Sequence, residues 1–149
     1  MVKFGSARID ENGRARGGKA GDQTGCECMI QQAYWHKNGW RGIRAKDPNV
    51  ANGIAWTMAC ACQSNLVGYN QDERYAIFWT DLREGVLTNA DCSTLVPFCV
   101  IKAGVDVDVN GITILHKLKV KRLYDVVNPV RYLCLTIGEV EQIKVLWEL

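Results

Sequence analysis

Seven cysteines and two histidines give this 149-residue chain most of its chemical scope, and one of the cysteines stands at a distinctive place. In the stretch ADCSTLVPFC, Asp91 precedes Cys92, while Leu95, Val96, Cys99 and Val100 recur at helical spacing. The pattern predicts a helix capped by Asp91, with Cys92 as its first residue. There the N–H groups of the first turn and the positive end of the helix dipole favour thiolate over thiol, which makes Cys92 the candidate nucleophile. Two considerations pull the other way. The Asp91 carboxylate opposes a neighbouring thiolate, and the commonest fate of a cysteine outside a disulfide is to be a small buried thiol. Pro97, sixth in the helix, removes the bond to the Ser93 carbonyl, and a kink there costs about 3 kcal/mol unless it is accommodated.

A thiol nucleophile needs a base, and His36 and His116 are the two imidazoles. His116, in the context ILHKL downstream of Cys92, is the better placed candidate; its alternative is a solvated histidine among Lys117, Lys119, Lys121 and Arg122. His36 falls in an expected turn. The other cysteines include two C-x-C pairs, Cys26 with Cys28 and Cys60 with Cys62, a spacing unlike the C-x-x-C of zinc knuckles and redox motifs. Cys60 and Cys62 would lie about 200° apart on a helix, which works against a four-cysteine metal site. The expectation is therefore reduced thiols, no metal and no cofactor.

The elements that must position Cys92 follow from pattern. Residues 3–25, rich in glycine and charge, read as a loop pinned by glycines, with Arg8, Arg14, Arg16 and Lys19 on a solvated surface. CMIQQAYW, from Cys28, reads as a strand with GWRGIRA as its hairpin partner across an Asn38-Gly39 turn. Asp47-Pro48 marks a helix start, Val50, Ile54, Met58 and Cys62 give it a buried stripe, and Gly68 is the expected stop. Asn70 and Glu73 resemble a capping box for a further helix burying Tyr75, Phe78, Trp79 and Leu82. After the Cys92 helix, Gly104 is the expected C-cap and VDVDVNG alternates as an edge strand. ITILHKLKVKRLYDVV fits a strand or an amphipathic helix, and YLCLTIG and VEQIKVLWEL, separated by Gly138, read as a small antiparallel sheet closing the domain.

Length and composition set the frame. A chain this long fits one domain, 1–149, burying roughly 70% of the surface its unfolded form exposes. Apolar residues at 48% and charged residues at 23% are a globular balance. The net charge of +2 is too small to imply a nucleic-acid partner, while being compatible with an anionic polymer such as a bacterial cell wall. No apolar h-region opens the chain and no apolar run would span a bilayer, so a chain made in the cytosol with no membrane partner is expected.

Three blocks in order, SARIDENGRARGGKAGDQTG, AKDPNVANGIAWTMACACQSNLVGYNQDERY and ADCSTLVPFCVIKAGV, resemble the peptidoglycan hydrolases of bacteriophages and prophages of Gram-positive bacteria. These are NlpC-type, papain-like cysteine peptidases or amidases. The resemblance spans about residues 5–105. It implies an α+β papain-like fold, with the nucleophile at the start of a central helix packed on a small antiparallel sheet. It also implies bacterial peptidoglycan as partner, Cys92 as nucleophile, and Asp91 and Ser93 as its flanking positions. Asp22, Gln23 and Thr24 of the GDQTG block become candidates for the cleft wall, with Asp22 and Gln23 expected to bind substrate alongside Asp91 and Ser93. Such an enzyme would wait in the host cytoplasm for a lysis pore or travel with the virion. The family sets its histidine in a strand after a Gly-Asp turn, a pattern missing here, and the chain from about Gly111 does not share the resemblance. That leaves three readings: His116 acts as base from an unexpected position, the sequence is truncated or frame-shifted relative to an active parent, or the protein is a non-catalytic wall-binding or virion relative.

Overall fold

The computed structural model describes residues 2–32, 40–45, 47–107, 121–123, 132–136 and 143–148, the last three segments, residues 40–44, Val2 and Phe4 through their backbone. The architecture is α+β. Among the described residues eight strands, β1 (Val2–Ala7), β2 (Cys28–Gln32), β3 (Trp40–Arg44), β4 (Val67–Tyr69), β5 (Thr88–Ala90), β6 (Lys121–Leu123), β7 (Tyr132–Thr136) and β8 (Ile143–Glu148), accompany two helices, α1 (Pro48–Gln63) and α2 (Cys92–Lys102). Six strands form an antiparallel sheet in the order β2-β1-β8-β7-β3-β6. β4 and β5 form a separate parallel pair, Val67 to Tyr69 running beside Thr88 to Ala90.

Both helices pack against each other and against β1 and β8. Their contact is apolar: Ile54 and Met58 of α1, and Leu95, Phe98 and Val100 of α2, are all buried. Asp47 caps α1 as expected, accepting a 2.8 Å bond from the Asn49 N–H, with Pro48 in the first turn. α2 continues across Pro97, which is buried within it. Gly104, at φ +87°, follows the last turn, where its N–H donates to the Ile101 carbonyl.

Several expectations give way. Val2–Ala7 is not part of a glycine-pinned loop but a strand inside the sheet, and its Gly5, Ser6 and Ala7 are buried. Small side chains let the helices approach this strand, and they also erase the apolar alternation by which a strand is recognised. β2 pairs with β1 and lies far from β3 in the strand order, so the expected hairpin does not form; Asn38 and Gly39 lie outside the described residues. α1 ends at Gln63 with Ser64 as its cap, and Gly68 belongs to β4. The helix expected from Asn70 is two 3-10 turns, Ala76–Trp79 and Leu82–Glu84. Ile77 is buried there, whereas Trp79 is 87% exposed. Val105–Val107 is irregular, β6 is a strand within the ambiguous basic run, and β7 and β8 pair as expected. Among the described residues no helix is long and apolar enough to cross a membrane.

The loop joining β1 to β2 lies tightly on β4. A Cβ on Gly68 would stand 2.3 Å from the Gly21 carbonyl oxygen, and one on Gly18 would stand 2.5 Å from the Tyr69 carbonyl oxygen. Only glycine permits so close an approach. Two side chains rivet this contact. The Glu27 carboxylate, 1% exposed, accepts the Gln23 N–H at 2.7 Å and the Tyr69 N–H at 3.0 Å. Asn70 accepts the Gly17 N–H at 3.2 Å and donates to the Gly18 carbonyl at 3.0 Å. Burial, the largest influence, pushes the Glu27 carboxyl above the usual glutamate range against the pull of its two N–H donors.

Each Glu27 oxygen receives an N–H, so Glu27→Gln sets an amide NH2 against a backbone donor. The variant is expected to lose about 1–3 kcal/mol of stability, read from the urea midpoint. The native state holds the Glu27 proton to higher pH than the unfolded chain, so the stability this group contributes falls as pH rises from the ordinary glutamate range through the raised native value. The gap between wild type and variant therefore narrows across that window. An unchanged midpoint would show that the clasp does not hold β4.

Candidate active site

β5 runs directly into α2, and the junction residue is Asp91, extended at φ −127° and ψ −178°. Its Oδ1 accepts from the Ser93 N–H (2.9 Å), the Ser93 hydroxyl (2.7 Å) and the Thr94 N–H (3.0 Å). In return Thr94 Oγ1 accepts the Asp91 N–H at 3.0 Å, closing a capping box. The cap expected of Asp91 is present, and so is the placement of Cys92 on the first helical turn. The reciprocal half, from Thr94, escapes sequence reading because that position usually carries Glu or Gln.

Cys92 is a half-buried thiol. Of the opposing influences on its acidity, those that disfavour the thiolate prevail. Burial pushes the thiol up, the Asp91 carboxylate adds to the rise, and the backbone N–H groups of Cys92 and Ser93 together with the Arg74 guanidinium pull it partly back. The helix start does favour thiolate, but desolvation and an adjoining negative charge outweigh it.

Arg74, on the segment between β4 and the first 3-10 turn, is the cation beside this centre. Its Nη1 lies 3.5 Å from Asp91 Oδ2. Nη2 is 3.4 Å from the Tyr75 hydroxyl, and the guanidinium carbon sits 5.0 Å from the centroid of the Tyr75 ring. From β4, Tyr69 completes the group. Its phenol accepts from Gln71 Nε2 at 3.2 Å and is raised in pKa, first by burial and then by the nearby Cys92 and Asp91. Tyr69, Gln71 and Arg74 all come from the GYNQDERY run. That run reads in sequence as a helix cap and a core face, because nothing local reveals that a parallel strand will bring it beside Cys92.

The structure places the remaining candidates as follows. Asp22 Oδ1 accepts from the N–H groups of Thr24 and Gly25, and its Oδ2 from those of Glu27 and Cys28. Gln23 donates to the Ala20 and Gly21 carbonyls. Both thus shape their own loop. Ser93 is tied to Asp91 through backbone and hydroxyl. His116 and His36 lie outside the described residues. Burial pushes Cys62 up to about 12 and Cys28 and Cys99 well above the usual thiol range, so these three are packing thiols. Among the described residues no group of three or more His, Cys, Asp and Glu side chains is arranged to hold a metal ion.

A family model described as "Endolysin-like domain" fits residues 4–124. No curated protein and no solved structure matches the chain.

Asp91 is predicted to act as both cap and brake. Asp91→Ala should cost about 0.5–2 kcal/mol of stability through loss of the cap. Asp91→Asn, which still caps, should lower the pH at which Cys92 becomes reactive to iodoacetamide, followed by peptide mapping. A pH profile indifferent to the Asn substitution would show that the carboxylate does not restrain the thiol.

Proposed function

The chain belongs to the endolysin-like domain family, and from that premise we propose that it is a cysteine peptidoglycan hydrolase of the NlpC-type, papain-like kind, acting as one catalytic domain. The observation that carries the reading is the position of Cys92: half-buried on the first turn of a helix held by a complete capping box, with a cation alongside. The reaction follows from that position. Cys92 Sγ attacks an amide carbonyl of the peptide stem or of the N-acetylmuramoyl-alanine linkage, and its proton passes to a base. The backbone N–H of Cys92 faces the developing oxyanion, the amine leaves with a proton, and water hydrolyses the thioester.

Because burial and Asp91 raise the thiol pKa, Cys92 is protonated at neutral pH, and the base must take its proton during attack rather than beforehand. We assign that role to His116. In the proposed cleft, Asp91 and Ser93 fix the geometry of the helix start, and Asp22 and Gln23 shape the loop that forms one wall. The enzyme would reach the wall from the host cytoplasm through a lysis pore, or with the virion.

The raised thiol pKa also favours a second reading, a non-catalytic relative that binds wall material or serves in the virion. Turbidity of Gram-positive cell walls separates the two. Wild type under reducing conditions should clear the suspension, and Cys92→Ala should lose at least about a hundredfold in rate, as removal of a covalent nucleophile does. Equal inertness of both proteins, with wild type still pelleting on purified peptidoglycan, would establish the second reading instead.

A further inference from the structure

Two of the three arginine–aspartate pairs among the described residues differ in a way that bears on ligand recognition. Arg83 closes on Asp81: its Nε lies 3.0 and 3.1 Å from the two carboxylate oxygens, and its Nη2 reaches the same group. Such a fork is satisfied by its partner. Arg74 is not closed in this way. Its contact with Asp91 is a single 3.5 Å approach, well beyond the length of a charge-assisted hydrogen bond, and its contact with Tyr75 is 3.4 Å. The Asp91 side chain is 3% exposed and devotes Oδ1 to the first turn of α2, whereas the Arg74 side chain is 38% exposed.

Of the acidic side chains on the same segment, Glu73 accepts from Asn89 Nδ2 at 2.9 Å, and exposed Asp72 makes a loose 3.7 Å approach to Arg16. A planar five-donor cation is therefore held over the Tyr75 ring, beside the thiol, with much of its surface in solvent.

We infer that Arg74 is the anion-recognising group of this site, taking a carboxylate of the molecule whose carbonyl carbon approaches Cys92. The ligand class is a peptide amide with a free carboxylate close to the scissile bond, as an acidic residue of a wall peptide stem provides. Arg74 thus determines specificity, through a bidentate pair that a carboxamide in the same place cannot match. The inference rests on Cys92 being the reacting group, as proposed above. Its test does not require turnover.

Alkylation of Cys92 by anionic iodoacetate and by neutral iodoacetamide, read by peptide mapping, measures the attraction directly, with exposed Cys60 of the same chain as internal reference. The iodoacetate-to-iodoacetamide rate ratio at Cys92, relative to that at Cys60, should fall about fivefold or more in Arg74→Gln, recover in part in Arg74→Lys, and decline with added salt in wild type. A ratio indifferent to the Gln substitution would overturn the inference, as would a Cys92 that neither reagent reaches. Charge selectivity without any wall hydrolysis would leave Arg74 as assigned and remove the hydrolase reading instead.

Discussion

A buried carboxylate holds this fold in register. Glu27 sits at the edge of β2 with almost no solvent contact, and burying a charge there would be prohibitive without compensation. The compensation comes from two backbone N–H groups, those of Gln23 in the β1–β2 loop and Tyr69 in β4. Segments distant in sequence are thereby clasped, and the clasp is tight enough that Gly18 and Gly68 admit no side chain. The rest follows by succession. β4 fixes β5 through their parallel pairing, β5 leads into Asp91, and Asp91 caps α2 and presents Cys92. The polar loop beneath the candidate site is therefore a structural part of it, whether or not it touches ligand.

At that centre, opposing electrostatic effects set the state of the thiol. The first helical turn and Arg74 favour thiolate, while burial and Asp91 disfavour it and prevail. Asp91 contributes in two senses. It organises the helix start that gives Cys92 its position, and its charge adds to burial in disfavouring the thiolate. A thiol held in this way is protected from adventitious oxidation, since the thiolate is the form that oxidises. In the proposed reaction it makes the site dependent on proton transfer concerted with attack.

How much of this was legible in the sequence depended on whether local chemistry determined the outcome. Asp47-Pro48 and Asp91 were readable because capping is settled within a few residues, and β7 and β8 because β-rich runs broken by a glycine declare themselves. β1 was hidden because the helices above it demand Gly5, Ser6 and Ala7, which carry no apolar pattern. The segment after Asn70 looked helical by spacing, but Asn70 spends its side chain on Gly17, Gly18 and the Asp72 N–H, so it organises a turn instead. For the same reason Tyr69, Gln71 and Arg74 could not be assigned to the site. Their approach to Cys92 is a product of strand pairing between distant segments, and no local rule predicts it. The balance of effects on the thiol stays open in the sequence, because helix position is visible there and burial is not.

Family membership, the capped helix start and the flanking guanidinium support the central proposal, that Cys92 forms a covalent bond to an acyl group of bacterial peptidoglycan. Acid quenching of wild-type protein mixed briefly with soluble peptidoglycan fragments, followed by intact and peptide-level mass spectrometry, addresses it most directly. The account predicts a hydroxylamine-labile acyl adduct on the peptide carrying Cys92, rising and then decaying as hydrolysis proceeds. Release of fragments with no adduct on Cys92, or with the adduct on another residue, would contradict it.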